Sequence, residues 1–195
     1  MNEQSEQCTE AKIVYEKPLS GVFDEVLFGS ALGNTLWVHF SDSLGIVEWI
    51  GKFDCGYYSG NKVTKIAEPD KFFVCAGGWV YFVSATTRKL TEEPYRNEQV
   101  HDAVFDPASG GVLTADWSSI SLVKSSVTVW SVRIATDGIR NLKLEGNKLQ
   151  GLGEFDYDGS EQEFVLDLET KKHKVGAQIV SNLPQGTKKP WWKFR

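Results

Sequence analysis

Residues 72–83 hold two apolar runs around a double glycine: Phe72, Phe73, Val74, Cys75 and Ala76, then Gly77-Gly78, then Trp79, Val80, Tyr81, Phe82 and Val83. Side chains of a β-strand alternate between its two faces. Both alternating sets are apolar in each run, so each strand must be covered on both sides. Parallel sheets meet that demand with helices, but no stretch of ten or more residues between the strands has amphipathic helical spacing. The remaining solutions stack antiparallel sheets on one another.

The rest of the chain agrees. Turn pairs recur at Gly33-Asn34, Ser59-Gly60, Gly77-Gly78, Ser109-Gly110, Asp137-Gly138, Gly146-Asn147 and Asp158-Gly159. Such pairs supply positive φ where hairpins close. Between them, 35–40, 45–50, 112–115 and 128–134 are rich in branched and aromatic residues and have strand length. Phe164, Leu166 and Leu168 share one face while Glu163, Asp167 and Glu169 fall mostly opposite, the pattern of a half-solvated strand. Residues 3–16 and 92–99 are the two places where a short helix is expected. The predicted fold class is all-β: antiparallel hairpin units in a small or incomplete propeller, with a β-sandwich or a filled barrel as alternatives. At 195 residues one domain spanning 1–195 is expected, frayed over 1–10.

A unit of two apolar strands and a polar exit recurs at 72–90, 112–122 and 151–170, with a looser copy at 36–50. His101-Asp102-Ala103-Val104-Phe105-Asp106-Pro107, followed by the strand from Val112 and by Ile120-Ser121-Leu122, resembles a WD-repeat blade. Leu166-Asp167-Leu168-Glu169-Thr170 resembles the aspartate-bearing end of such a blade. The resemblance covers roughly 25–175 and, at about 40–45 residues per repeat, implies about four blades of WD40 or quinoprotein type. It implies a rigid platform for partners. Two departures stand out: no Trp-Asp dipeptide follows a third strand, and Val100 rather than Gly precedes His101.

Lys and Arg number 21 against 26 Asp and Glu, a formal charge of -5. Four cations and no acids lie in 188–195, so the remainder is more acidic still. An acidic body repels phosphate backbones, which argues against general nucleic-acid binding, and attracts a basic protein partner. Cys8, Cys55 and Cys75 are too few and too scattered for a disulfide framework. The polar, acidic N-terminus lacks secretory-signal character, and no apolar run is long enough to cross a bilayer. A cytoplasmic location is expected.

The acidic stretch 154–161 comes nearest to a chemical motif. Its alternating acids imitate the opening of a calcium-binding EF-hand loop, but the twelfth position falls on Val165 instead of Glu. It reads better as a hairpin closed by Asp158-Gly159, with Glu154, Asp156, Asp158, Glu161 and Glu163 forming a contact surface for a cationic partner. His39, His101 and His173 lack metal-ligand spacing, and nucleophile and phosphate-loop motifs are missing. No cofactor, metal or catalytic residue is therefore expected. Trp37, Trp49, Trp79 and Trp130 read as packing residues. Trp117, beside Asp116 at a predicted turn, is the tryptophan expected at the surface. The basic aromatic tail, 188–195, adds Trp191 and Trp192 as candidate contacts.

These features suit a non-catalytic protein-binding module, by analogy a small acidic inhibitor of a basic toxin of the bacterial immunity-protein kind. A carbohydrate- or small-ligand-binding protein or hydrolase with a site lined by Trp117 or Trp49, and a structural subunit joined through its tail, are the alternatives.

Overall fold

The computed structural model describes residues 10–180, apart from 20, 31, 32, 58, 59, 67–69, 97–99, 157 and 177, with backbone alone for 178–180. Among the described residues every regular element is a strand. The two short-helix expectations are therefore corrected. Residues 10–14 form the first strand, and Tyr95–Arg96 pairs into a sheet. Glu10 already lies in that strand, and the remainder of 1–10 is outside the described residues.

The strands form four sheets in chain order. The first holds β1 (Glu10–Val14), β3 (Thr35–Ser41), β4 (Val47–Asp54) and β2 (Asp24–Phe28), in that spatial order. The second holds β5 (Lys62–Lys65), β6 (Lys71–Ala76), β7 (Trp79–Ser84) and β8 (Lys89–Leu90), with β9 (Tyr95–Arg96) also pairing β7. The third runs β10 (Asp102–Asp106), β11 (Gly111–Ala115), β12 (Ser119–Lys124), β13 (Val127–Arg133). The fourth runs β14 (Asp137–Glu145), β15 (Lys148–Glu154), β16 (Glu161–Asp167), β17 (His173–Val175), β18 (Gln178–Val180). The leading strands face one another: β1 packs on β5, β5 on β10 and β10 on β14. No comparable packing joins β14 back to β1 among the described residues.

Three cores fill the gaps between successive sheets, and the doubly apolar strands explain why. Phe72, Val74, Ala76, Tyr81 and Val83 face the first sheet, meeting Leu36, Val38, Phe40, Trp49 and Phe53. Their alternates Phe73, Cys75, Val80 and Phe82 face the third sheet, meeting Ala103 and Val112. Leu113, Ala115, Ile120 and Leu122 then meet Leu149, Phe164 and Leu166 of the fourth. Each fully buried large side chain contributes roughly 1.5–3 kcal/mol. The β6–β7 turn needs its glycines, since Gly77 and Gly78 take φ of 54° and 96°.

Three features depart from the hairpin expectation. Gly33-Asn34 and Gly60 lie in links between strands that do not pair, β2 to β3 and β4 to β5. β2 runs parallel to β4, while β1 and β4 both run antiparallel to β3. Residues 15–23 must therefore cross from one end of the sheet to the other. Phe23 packs on His39 at 5.9 Å between ring centroids, which places the crossing over the outer side of the first sheet. Ile50, the register partner of His39, is fully buried. Asp137-Gly138 is not a hairpin turn but lies inside β14, next to a break in register with β15.

Candidate binding surface

The ends of several strands meet along one rim of the stack, and close backbone approaches set its shape. Gly56 N donates to Ala76 O beside the β6–β7 turn, and the Asn61 carboxamide oxygen accepts Gly77 N at 2.9 Å. A Cβ on Gly60 would stand 2.3 Å from the His101 carbonyl oxygen, so only glycine lets the second and third sheets come this close here. His101 then meets Trp117 edge to face, with ring centroids 4.1 Å apart. Trp117 O accepts Ile139 N, and Thr136 N donates to Glu154 O. A continuous path thus runs from Tyr57 past Gly77, His101 and Trp117 to the acidic hairpin.

Aromatic side chains stand out of this rim. Tyr15 is 85% exposed, Tyr57 84% and Trp117 43%. Tyr15 and Tyr57 flank a cavity of about 440 Å³ at the end of the first sheet, with Asn34, Trp37 and Cys55 also in its wall. Trp117 is held by its turn: Asp116 Oδ1 accepts Ser118 N at 2.8 Å and Ser119 N at 2.6 Å. Burial pushes the His101 imidazole below its ordinary pKa, and the Asp116 and Asp137 charges nearby partly oppose that.

The predicted acids gather at the β15–β16 hairpin. Glu154 lies directly opposite Glu161, and Asp137 lies opposite Glu154. Asp156 and Asp158 are exposed in the connecting turn, closed by Gly159 at φ 76°. Hydrogen bonds from Ser160 hold the Asp158 carboxyl below the usual range and so keep it ionised. Glu163 lies two residues further along, opposite Leu152 on the outer face of the fourth sheet. One correction to an all-acidic patch comes from β14: Arg140 forms an ion pair with Glu161. Trp191 and Trp192 lie outside the described residues.

The other tryptophans are not free platforms. Trp49 is fully buried and stacks on Phe40 at 4.0 Å, which removes it as a wall of any ligand site. Trp37, Trp79 and Trp130 are half-buried beneath Lys52, Arg96 and Lys171 respectively. Burial drives the Cys75 thiol up to about 12 and raises that of Cys55, so neither is an activated nucleophile. No group of three or more His, Cys, Asp or Glu among the described residues is arranged to hold a metal ion. No helix among them is long and apolar enough to cross a membrane.

Sequence reading missed Tyr15, Tyr57 and Arg140. Tyr57 carried a usable signal, because it sits between Gly56 and Ser59-Gly60 in a turn segment with no strand alternation. Arg140 carried none, since its reach to Glu161 depends on the β14 register.

No protein-family model and no curated protein matches the sequence. Solved structures do. The WD40 domain of Neurospora crassa Pan2 superposes with a TM-score of 0.52 at 8% identity, over 78% of this chain and 49% of that one. Kuenenia stuttgartiensis hydrazine synthase superposes with a TM-score of 0.56 at 16% identity, over 82% of this chain and 50% of that one. The fold is β-propeller-like. The chain spans about half the length of the solved chains it matches. Its four sheets are blades stacked in an arc, each inner strand lying against the next.

Proposed function

We propose that this chain is a non-catalytic protein-binding module that docks a basic partner on the rim carrying Tyr15, Tyr57, Trp117 and the acidic hairpin. The observation that supports the reading best is the coincidence, on one rim, of exposed aromatics with Asp137, Glu154, Asp156, Asp158 and Glu161. Aromatic side chains supply anchoring area with little entropy loss, and opposite charge speeds encounter and fixes orientation. A rim on which exposed aromatics and carboxylates are spread across several blades suits another protein better than a small substrate. The finer form is a small acidic inhibitor that occludes a basic toxin, as bacterial immunity proteins do. Trp191 and Trp192 are assigned to the same contact, as extensions of the aromatic set.

Affinity capture tests this reading. The immobilised protein is compared with a Tyr15→Ala/Tyr57→Ala/Trp117→Ala variant and with a Glu154→Lys/Glu161→Lys variant. The expected result is a basic protein held by the native chain, lost from both variants and released by salt. An acidic protein, or one both variants retain, overturns the reading.

A further inference from the structure

Three cations, Lys62, Arg140 and Lys143, gather where the inner strands of the second, third and fourth blades meet. Asp102, at the start of β10, brackets the three blades together. Its Oδ1 accepts Lys62 Nζ of β5 at 3.1 Å and its own neighbour Ala103 N at 2.7 Å. Its Oδ2 accepts Leu142 N of β14 at 2.7 Å. That last donor is available because β14 breaks register with β15 between Asp137 and Arg140 and again between Arg140 and Lys143, with Asn141 at φ 58°. Beside the bracket lies a groove of about 440 Å³ lined by Asn61, Lys62, His101, Asp102, Arg140 and Lys143. Its three cations stand against Asp102, which pairs with Lys62, and Glu161, which pairs with Arg140, so one net positive charge is left in a protein of net charge -5.

Two of these cations are charge-paired, Lys62 with Asp102 and Arg140 with Glu161, but each keeps N–H donors that its pair does not use. Lys143 is exposed and makes no ion pair among the described residues. The carboxylate of Asp102 accepts donors from all three blades, so little of its acceptor capacity remains for those N–H groups. One net positive charge, that of Lys143, and the spare donors of Lys62 and Arg140 are left for an anionic ligand.

We propose that this groove binds a compact anion, a small molecule whose oxyanion oxygens accept from Lys62, Arg140 and Lys143. The volume falls within the range of small-molecule sites. An extended acidic chain, whether peptide or nucleic acid, would have to pass Asp137, Glu154 and Glu161 on the rim above, whereas a compact anion does not.

Titration of the full chain with pyrophosphate, citrate and inorganic phosphate at low ionic strength, followed by amide chemical shifts, tests the proposal. The expected result is saturable binding of pyrophosphate or citrate that shifts the amides of Asn61, Lys62, Asn141 and Lys143. Preference for pyrophosphate over citrate assigns a phosphoryl ligand, and the reverse a polycarboxylate. Lys143→Ala should weaken binding about tenfold, while Lys148→Ala, on the outer face of the same blade, should leave it unchanged. Arg140→Gln provides a second, independent loss. Absence of saturable binding by all three anions, affinity indifferent to both Lys143→Ala and Arg140→Gln, or shifts centred on Lys148, Lys172 and Lys174 would overturn the proposal.

Discussion

Trp49 and Trp117 show how one residue type serves opposite ends. Trp49 has no exposed surface and stacks on Phe40 in the first core. Trp49→Ala should cost about 3–5 kcal/mol, the range for large core truncations, and urea unfolding measures it. Trp117→Ala, at 43% exposure, should change stability far less while weakening partner binding. The contrast was legible in the sequence: Asp116 marked a turn and so an exposed Trp117, while Trp49, inside a strand-like run, read as a packing residue, although its neighbours Val47 and Ile50 gave no sign of what would cover the opposite face. The three histidines behave alike: burial lowers the pKa of His39, His101 and His173. A histidine that stays neutral in the fold takes up its proton first in the unfolded chain. Stability should therefore be level above the unfolded value of about 6.5 and fall as the pH drops below it, by up to about 1.4 kcal/mol per pH unit for each group. His173 is buried and its Nε2 has no hydrogen-bond partner among the described residues, so His173→Leu should flatten that fall. Denaturation curves between pH 7.5 and 5 give the slope, and an identical slope in the variant would count against the assignment.

Elements were legible where alternation was unambiguous and illegible where tertiary context chose. Residues 72–83 announced a hairpin covered on both faces, and β6 and β7 are that hairpin. The segment around Tyr95 had acids and amides suited to a helix turn, but β9 gains ladder bonds to β7 that an isolated turn of helix lacks. The parallel β2 could not be foreseen, because its residues read equally well as an antiparallel edge. Its consequence is the crossing segment 15–23, whose residues contribute unequally. Leu19 and Val22 are 79% and 60% exposed, so their replacement by Ala should fall within about 0.5 kcal/mol of neutral. Phe23 lies over His39, and Phe23→Ala should cost about 1–3 kcal/mol and speed amide exchange in β3 and β4. The close approach at Gly60 offers a sharper lesion. A methyl there meets the His101 carbonyl oxygen, backbone that cannot rotate away, so Gly60→Ala should destabilise by about 1–3 kcal/mol and disturb the packing of the second blade on the third.

At the scale of the molecule, the arc is a stack in which each blade contacts only its neighbours, so stability should be distributed as in other quasi-linear arrays. The two middle blades bury both faces; the first and fourth bury one. The free faces are finished differently. The first is crossed by 15–23 and carries the Lys52–Glu25 pair, 3.0 Å long, with Lys52 also over Trp37. The fourth presents Gln150, Glu163 and Lys174 to solvent among Leu152 and Val165. Sequence could supply the count of blades through its repeats, but not the finish of the ends, since charged residues on β4 and β16 read as ordinary solvated strand faces. Native-state hydrogen exchange should therefore grade along the arc. Amides of β6, β7 and β11 should exchange only through global unfolding, because opening any of them exposes two cores at once. Amides of β2 and β17 should exchange through local openings whose free energies lie several kcal/mol lower. Under mild denaturant the first set should converge on one isotherm while the second stays flat. Equal protection across all four blades would mean that the stack unfolds as a single unit, and that packing between blades is far stronger than packing within them.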